Sequence, residues 1–264
     1  MKGRRLAVTG SRRIGPRTLV ALALVALALT LAVAAGVTRR TAPGSAEPGP
    51  PRSSSTTAVG SDVPVATPDE QLARATAMPA VEATVDPSDL QPEVTTQPDL
   101  FARAFVTRLL TQDYRRPRTQ LLGWVQSHST TSPEPLVMGL IPPDVRDRWA
   151  VFSVTDSAAG PAPVPSASEW DRLARLGART TVEVQRVSQP YAWTSAVASG
   201  RITDPGVTGR EVTALVTLHS VEGGSPRTRT TSVALSFNLE GPPTRAQWGF
   251  VTLAAYTAVP LAGS

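Results

Sequence analysis

The chain contains no cysteine, which excludes disulfides, zinc–thiolate sites and thiol nucleophiles. Lys2 is its only lysine, so every other basic residue is an arginine. A folded part without lysine supports neither Schiff-base, Ser–Lys nor P-loop chemistry. Histidine occurs only at His128 and His219, and asparagine only at Asn238. Two histidines with no cysteine and no H-E-x-x-H pattern point to no metal ligands, and no cofactor-binding residue is expected either. Aromatic residues make up 5% of the 264 positions, against 25 prolines, so part of the chain lies outside a packed core. Acidic residues are absent from positions 1–40, which hold eight basic ones. The Arg, Ala, Pro and Val bias is that of an actinobacterial-like, GC-rich coding sequence.

That one-sided charge flanks an apolar run. Thr18 to Thr38 is 21 residues without a charge, centred on Leu19-Val20-Ala21-Leu22-Ala23-Leu24-Val25-Ala26-Leu27. A helix of that length measures about 32 Å, the depth of a hydrocarbon core of about 30 Å. Lys2, Arg4, Arg5, Arg12, Arg13 and Arg17 precede the run, and only Arg39 and Arg40 follow it. This asymmetry places the tail 1–17 in the cytoplasm and everything beyond residue 40 outside. A cleaved signal peptide is the rival reading, through Ala32-Val33-Ala34. The run, however, exceeds the usual apolar region of about 7–15 residues. A retained single-pass transmembrane helix over 18–38 is therefore expected, with an extracytoplasmic remainder on either reading.

Residues 39–97 read as a linker. Prolines recur from Pro43 to Pro98, and no Phe, Trp or Tyr is present. Between 41 and 98, Arg52 and Arg74 face eight acidic residues, a net −6. So little apolar surface does not offset ordering entropy. A solvated tether follows, with a transient helix at most over Asp69–Met78. The domain 98–264 then carries only +3 of the chain's +5, which gives little support to nucleic-acid binding by bulk charge.

Within that domain, Thr96-x-x-Asp99 resembles a capping box before a helix over about 98–113, with Phe101, Phe105 and Leu109 on one face. Further helices are expected at Arg118–Gln126 and Pro143–Phe152. A short turn capped by Ser166 and Glu169 precedes Trp170 and stops at Gly177. From Thr180 the apolar period becomes two: Val182, Val184 and Val187, then a run Ala192–Ile202, then Val212–Leu218, Thr228–Leu239 and Trp248–Tyr256. Glu222-Gly223-Gly224-Ser225 and Glu240-Gly241-Pro242-Pro243 read as turns. The expected class is α+β: N-terminal helices packed on a curved antiparallel sheet of four or five strands.

No catalytic set emerges, and none is assigned. His128 reads as a loop residue, and His219, beside Thr217, as a surface strand residue. Asp144 and Asp147 alternate with Arg146 and Arg148, the pattern of a salted helix face. Asp113, Tyr114, Tyr191 and Tyr256 are the candidates to line an apolar mouth between helices and sheet. Arg115-Arg116-Pro117-Arg118 is the densest basic cluster of the domain. It reads either as a surface for an acidic partner or phosphate, or as a solvated junction between helices. No aromatics interleave it, so no direct nucleic-acid binding is expected.

Helices before sheet, behind one membrane helix and a linker, resemble the bitopic subunits of type IV secretion machines. Their external domain has a nuclear-transport-factor-like cone fold, and the conjugative transfer proteins of the TcpC type are the nearest kind. The resemblance rests on Phe101-Ala102-Arg103-Ala104-Phe105, Arg118-Thr119-Gln120-Leu121-Leu122, and the strand pair Val212–Leu218 and Val233–Phe237. It implies a non-enzymatic structural component of a conjugation or secretion apparatus at the cell membrane. Such a component assembles with itself and with other channel membrane proteins, without catalytic residues or cofactors. Two alternatives remain open. One is an accessory scaffold of a lipid-import system, which shares the anchor-plus-cone plan. The other is an extracytoplasmic ligand-binding domain or enzyme using the cone pocket.

Overall fold

The structure is a computed structural model, and it describes residues 67–84, 89–130, 143–158 and 160–261. The expected tail 1–17 and membrane helix 18–38 lie outside the described residues. Among the described residues no helix is long and apolar enough to cross a membrane.

The described chain is α+β, with a four-stranded antiparallel sheet. In chain order come α1 (Pro68–Ala77), a 3-10 turn (Pro92–Thr96), α2 (Pro98–Leu110), α3 (Arg118–Ser127), α4 (Pro143–Thr155) and α5 (Ala167–Arg175). Then follow β1 (Arg179–Ser188), α6 (Tyr191–Ala198), β2 (Val207–Glu222), β3 (Ser225–Glu240) and β4 (Gly249–Pro260). Strands neighbour one another in chain order, each pair antiparallel. Gly223 (φ 58°) and Gly224 (φ 80°) join β2 to β3, the two positive φ values that a tight right-twisted hairpin requires.

The core lies between the sheet and the helices. Helix α2 buries Phe101, Ala102, Phe105, Val106, Leu109 and Leu110. Phe105 is its centre, stacked on Phe250 of β4 (ring centroids 4.5 Å apart) and on Trp124 of α3 (5.1 Å). Sheet residues Val212, Ala214, Val233, Leu235, Phe237 and Leu239 close the same cluster. In β1, Val182, Val184 and Val187 all pack against it, although strict alternation would turn Val187 away. A bulge between Val184 and Arg186 supplies the extra residue that brings Val187 back.

Three expectations are corrected. The segments 67–84 and 89–97, expected as tether, contribute to the packed body. Thr67 and Glu70 form a reciprocal capping box on α1. Ala75 is fully buried against Val145, Phe152 and Val251, with Leu72 and Met78 beside it. Arg74 pairs with Asp156 at 2.9 Å, and Arg148 donates to the Met78 carbonyl at 2.7 Å. Farther on, the Thr84 N–H donates to the Gly123 carbonyl of α3 at 3.0 Å. A Cβ at Gly123 would sit 2.2 Å from Thr84 Oγ1, so glycine is what lets this segment cross the helix.

The run Ala192–Ile202, expected as a strand, is instead mostly helix α6. Pro190 precedes the helix, and Trp193 and Ala196 are buried three positions apart, a helical period. They form a small cluster with Ile202 and Val207. Gly200 (φ 70°) follows the end of the helix. The capping box expected at Thr96–Asp99 does not form either. Gln97 is the N-cap of α2 without a side-chain bond, and Asp99 accepts instead from Arg210 Nε of β2.

Candidate functional site

The basic cluster stands on a segment clipped to the start of β1. The Thr180 N–H donates to the Gln112 carbonyl at 2.8 Å, and the Tyr114 N–H to the Ala178 carbonyl at 3.1 Å. The Arg116 N–H then closes a turn onto the Asp113 carbonyl at 3.0 Å, and Pro117 opens α3 without a capping side chain. Three arginines are thereby displayed over four positions at one rigid corner. Helix α5 supplies the wall opposite. Its Trp170 is buried, meets Tyr114 edge-on (4.8 Å, 70°), and donates its indole N–H to the Arg116 carbonyl at 3.0 Å. Between them lies a groove of about 230 Å³, lined by Tyr114, Arg115, Arg116, Arg118, Trp170 and Asp171, with Pro117, Ala167 and Ala174.

The three arginines differ in state. Arg115 grips Asp113 with two bonds, Nε to Oδ1 at 2.9 Å and Nη2 to Oδ2 at 2.6 Å. That bond holds the Asp113 carboxyl at about 2, well below the usual carboxylate range. Arg118 is half-buried and donates from Nε to the Pro165 carbonyl at 2.8 Å. Burial lowers its affinity for a proton, and no carboxylate among the described residues pairs with it. Arg116 is exposed, and its guanidinium has no hydrogen-bond partner among the described residues. Glu169, adjacent to Trp170, is taken by Arg172 at 2.6 Å. Asp171 stands exposed at the rim. The corner therefore presents two cations with no bonded carboxylate among the described residues, backed by aromatic rings, an arrangement suited to an oxyanion.

Of the tyrosines expected to share one mouth, Tyr114 and Tyr256 meet at the same apolar cluster, where Tyr256 acts on the Tyr114 phenol, while Tyr191 stands apart. Tyr114 is buried, and burial pushes its phenol up to about 12, so it stays protonated at neutral pH. Tyr256, opposite Leu235 on β4, packs against the same apolar cluster, and burial raises its phenol too. Tyr191 is 85% exposed on α6 and belongs to a different part of the surface. Asp113 faces Arg115 rather than a tyrosine.

The remaining candidates have structural partners. His128 is the C-cap of α3. Its Nε2 lies 2.6 Å from Asp89 Oδ1, and its Nδ1 3.0 Å from both Ser127 Oγ and the Trp124 carbonyl. This resembles an acid–imidazole–hydroxyl chain, but Ser127 donates its proton to the Trp124 carbonyl at 2.8 Å. The set closes the end of the helix and ties residue 89 to it. His219 lies on β2 with Nε2 3.4 Å from Thr181 Oγ1. Asp144 and Asp147 fall on α4, but their side chains lie outside the described ones.

A second surface is the outer edge of β4. Its first half is covered: Phe250 N–H donates to the His128 carbonyl at 3.0 Å, and Leu253 N–H to Ser153 Oγ at 2.9 Å. Beyond that, Leu261 N–H donates to the Thr230 carbonyl of β3 at 3.0 Å. Antiparallel alternation then turns the backbone groups of Tyr256 and Ala258 outward, where no backbone partner among the described residues meets them. No residue of β4 is charged, and Val259 and Leu261 are exposed. Compared with protein-family models, curated proteins and solved structures, the chain matches none of them.

Proposed function

We propose that this chain is a membrane-anchored, non-enzymatic structural subunit of a conjugation or type IV secretion apparatus, working through protein assembly outside the membrane. In this reading residues 18–38 hold the chain in the bilayer, and the helices-then-sheet body is the cone-like external domain. The observation that carries it is the uncharged edge of β4, which among the described residues has no backbone partner at Tyr256 and Ala258 and is flanked by exposed Val259 and Leu261. Folded proteins protect such edges with charge, cover or closure, and an edge left bare and apolar offers a row of backbone groups to another chain. Partners are a second copy and other channel membrane proteins.

The test places a photo-crosslinking residue at Val259 in the full chain and captures neighbours in the native cell. Adducts with a second copy or with channel subunits are expected. Adducts with lipid-transporter subunits instead would transfer the chain to the scaffold of a lipid-import system, which the same anchored plan also suits. A surface that yields no protein adduct overturns both readings. A gene neighbourhood without a coupling ATPase or relaxase counts against the first.

A further inference from the structure

We propose that the groove between α3 and α5 binds a phosphate group, held by Arg116 and Arg118 against the Tyr114–Trp170 wall. The inference is independent of the assembly role. Its first support is charge. Of the groove's ionised groups, Arg115 and Asp113 neutralise each other through two bonds, at 2.9 and 2.6 Å. Arg116 and Arg118 have no ion-pair partner among the described residues; Asp113 lies near enough to Arg116 to feel its charge, and Asp171 is the one carboxylate of the groove lining.

The second support is preorganisation. The Arg116 backbone is held from both sides, by its N–H to Asp113 and by Trp170 on its carbonyl. Arg118 is aimed by its Nε bond to Pro165, which leaves its terminal nitrogens for another acceptor. Arg118 therefore loses little freedom on binding, whereas the exposed Arg116 is held only through its backbone. The positive end of α3 borders the groove through Pro117 and Arg118.

The third is number and shape. A carboxylate is satisfied by one guanidinium fork, as Asp113 is by Arg115. Two separate guanidinia suit the three terminal oxygens and double charge of a phosphomonoester. The volume of about 230 Å³ is below that of sites for whole drug-sized ligands. The groove thus takes the phosphate end, and whatever carries it remains outside. Inorganic phosphate and a lipid phosphomonoester share this chemistry.

Isothermal titration of the full chain in non-ionic detergent, at fixed ionic strength, tests the proposal. The probes are inorganic phosphate, phosphatidic acid micelles with phosphatidylcholine as control, and a poly-glutamate peptide. Saturable phosphate binding is expected. Arg116→Gln should weaken it about tenfold or more, the loss of one charge-assisted contact. Asp171→Asn should strengthen it by removing the only opposing carboxylate of the lining. Arg118→Lys, which keeps the charge but not the fork, should weaken it less than Arg118→Gln, with circular dichroism confirming an unchanged fold in each variant. Binding of phosphatidic acid alone identifies a lipid source, and binding of both identifies phosphate itself. No saturation by either phosphate probe, affinity unmoved by Arg116→Gln, or binding of poly-glutamate alone overturns the proposal.

Discussion

Replacing Phe105 by alanine should remove a large share of the stability of the described body. The side chain is 1% exposed, and its ring stacks on Phe250 at 4.5 Å, Trp124 at 5.1 Å and Phe101 at 5.7 Å. Truncating a buried phenylalanine costs about 3–5 kcal/mol through lost transfer energy and the cavity left behind. Ring pairs add about 0.5–1.5 kcal/mol beyond area, which sets the expectation in the upper half of that range. Against a typical stability of about 5–15 kcal/mol, the loss is about a quarter or more. With a urea slope of about 2 kcal/mol per molar, the unfolding midpoint should fall by about 2 M. The control is Leu100→Ala on the same helix, 42% exposed, which should change stability by about 0.5 kcal/mol or less. Both variants end in alanine on one helix, and Leu and Phe differ in helix propensity by only roughly a few tenths of a kcal/mol, too little to produce the expected gap. Equal effects, or a shift under about 1 kcal/mol for Phe105→Ala, would refute the placement of α2 between sheet and helix α3.

Three further outcomes follow from individual contacts. Gly241→Ala places a Cβ 2.2 Å from the Trp248 ring and should cost about 1–3 kcal/mol, with a shift in tryptophan emission as that ring moves. Gly123→Ala should free the segment at Glu82–Thr84, seen as faster amide exchange there with little change in the global unfolding midpoint. The Tyr114 phenol is raised in the folded state to about 12, from about 10 unfolded, so the stability it contributes is complete below pH 10 and is lost as pH rises towards 12. Tyr114→Phe should therefore flatten the fall in denaturation midpoint over that interval, and an identical fall in both proteins would count against the burial of this phenol.

The helices and strands whose apolar residues keep one period were legible from residue types alone. Phe101, Phe105 and Leu109 announced α2, and the Gly223–Gly224 pair announced the β2–β3 hairpin. The spacing Val182, Val184, Val187 contained its bulge in plain view, because only an extra residue puts all three on one face. Ala192–Ile202 misled because a short apolar run fits either period, and Trp193 with Ala196 decides it only once Pro190 is read as a helix start. The docked α1 was hidden by composition. Leu72, Ala75 and Met78 are too few to build a core, yet at this spacing they are enough to cover one already built. The Thr67–Glu70 box was the signal that could have found it. The arginine cluster was readable, but its wall was not: Trp170 reaches Arg116 across 54 residues of sequence, a pairing that only the fold creates.

The docking of α1 also sets a leash. In an anchored chain that leaves the bilayer at residue 38, the packed body starting at Thr67 hangs on fewer than thirty residues, which span at most about 100 Å at about 3.6 Å each. Had the body begun at Pro98, the same limit would have been about 210 Å. Halving the reach halves the depth of the layer that the domains occupy above the bilayer, so copies diffusing in one membrane meet at about twice the concentration there. A weak edge contact between two such domains gains from that confinement what it lacks in buried area.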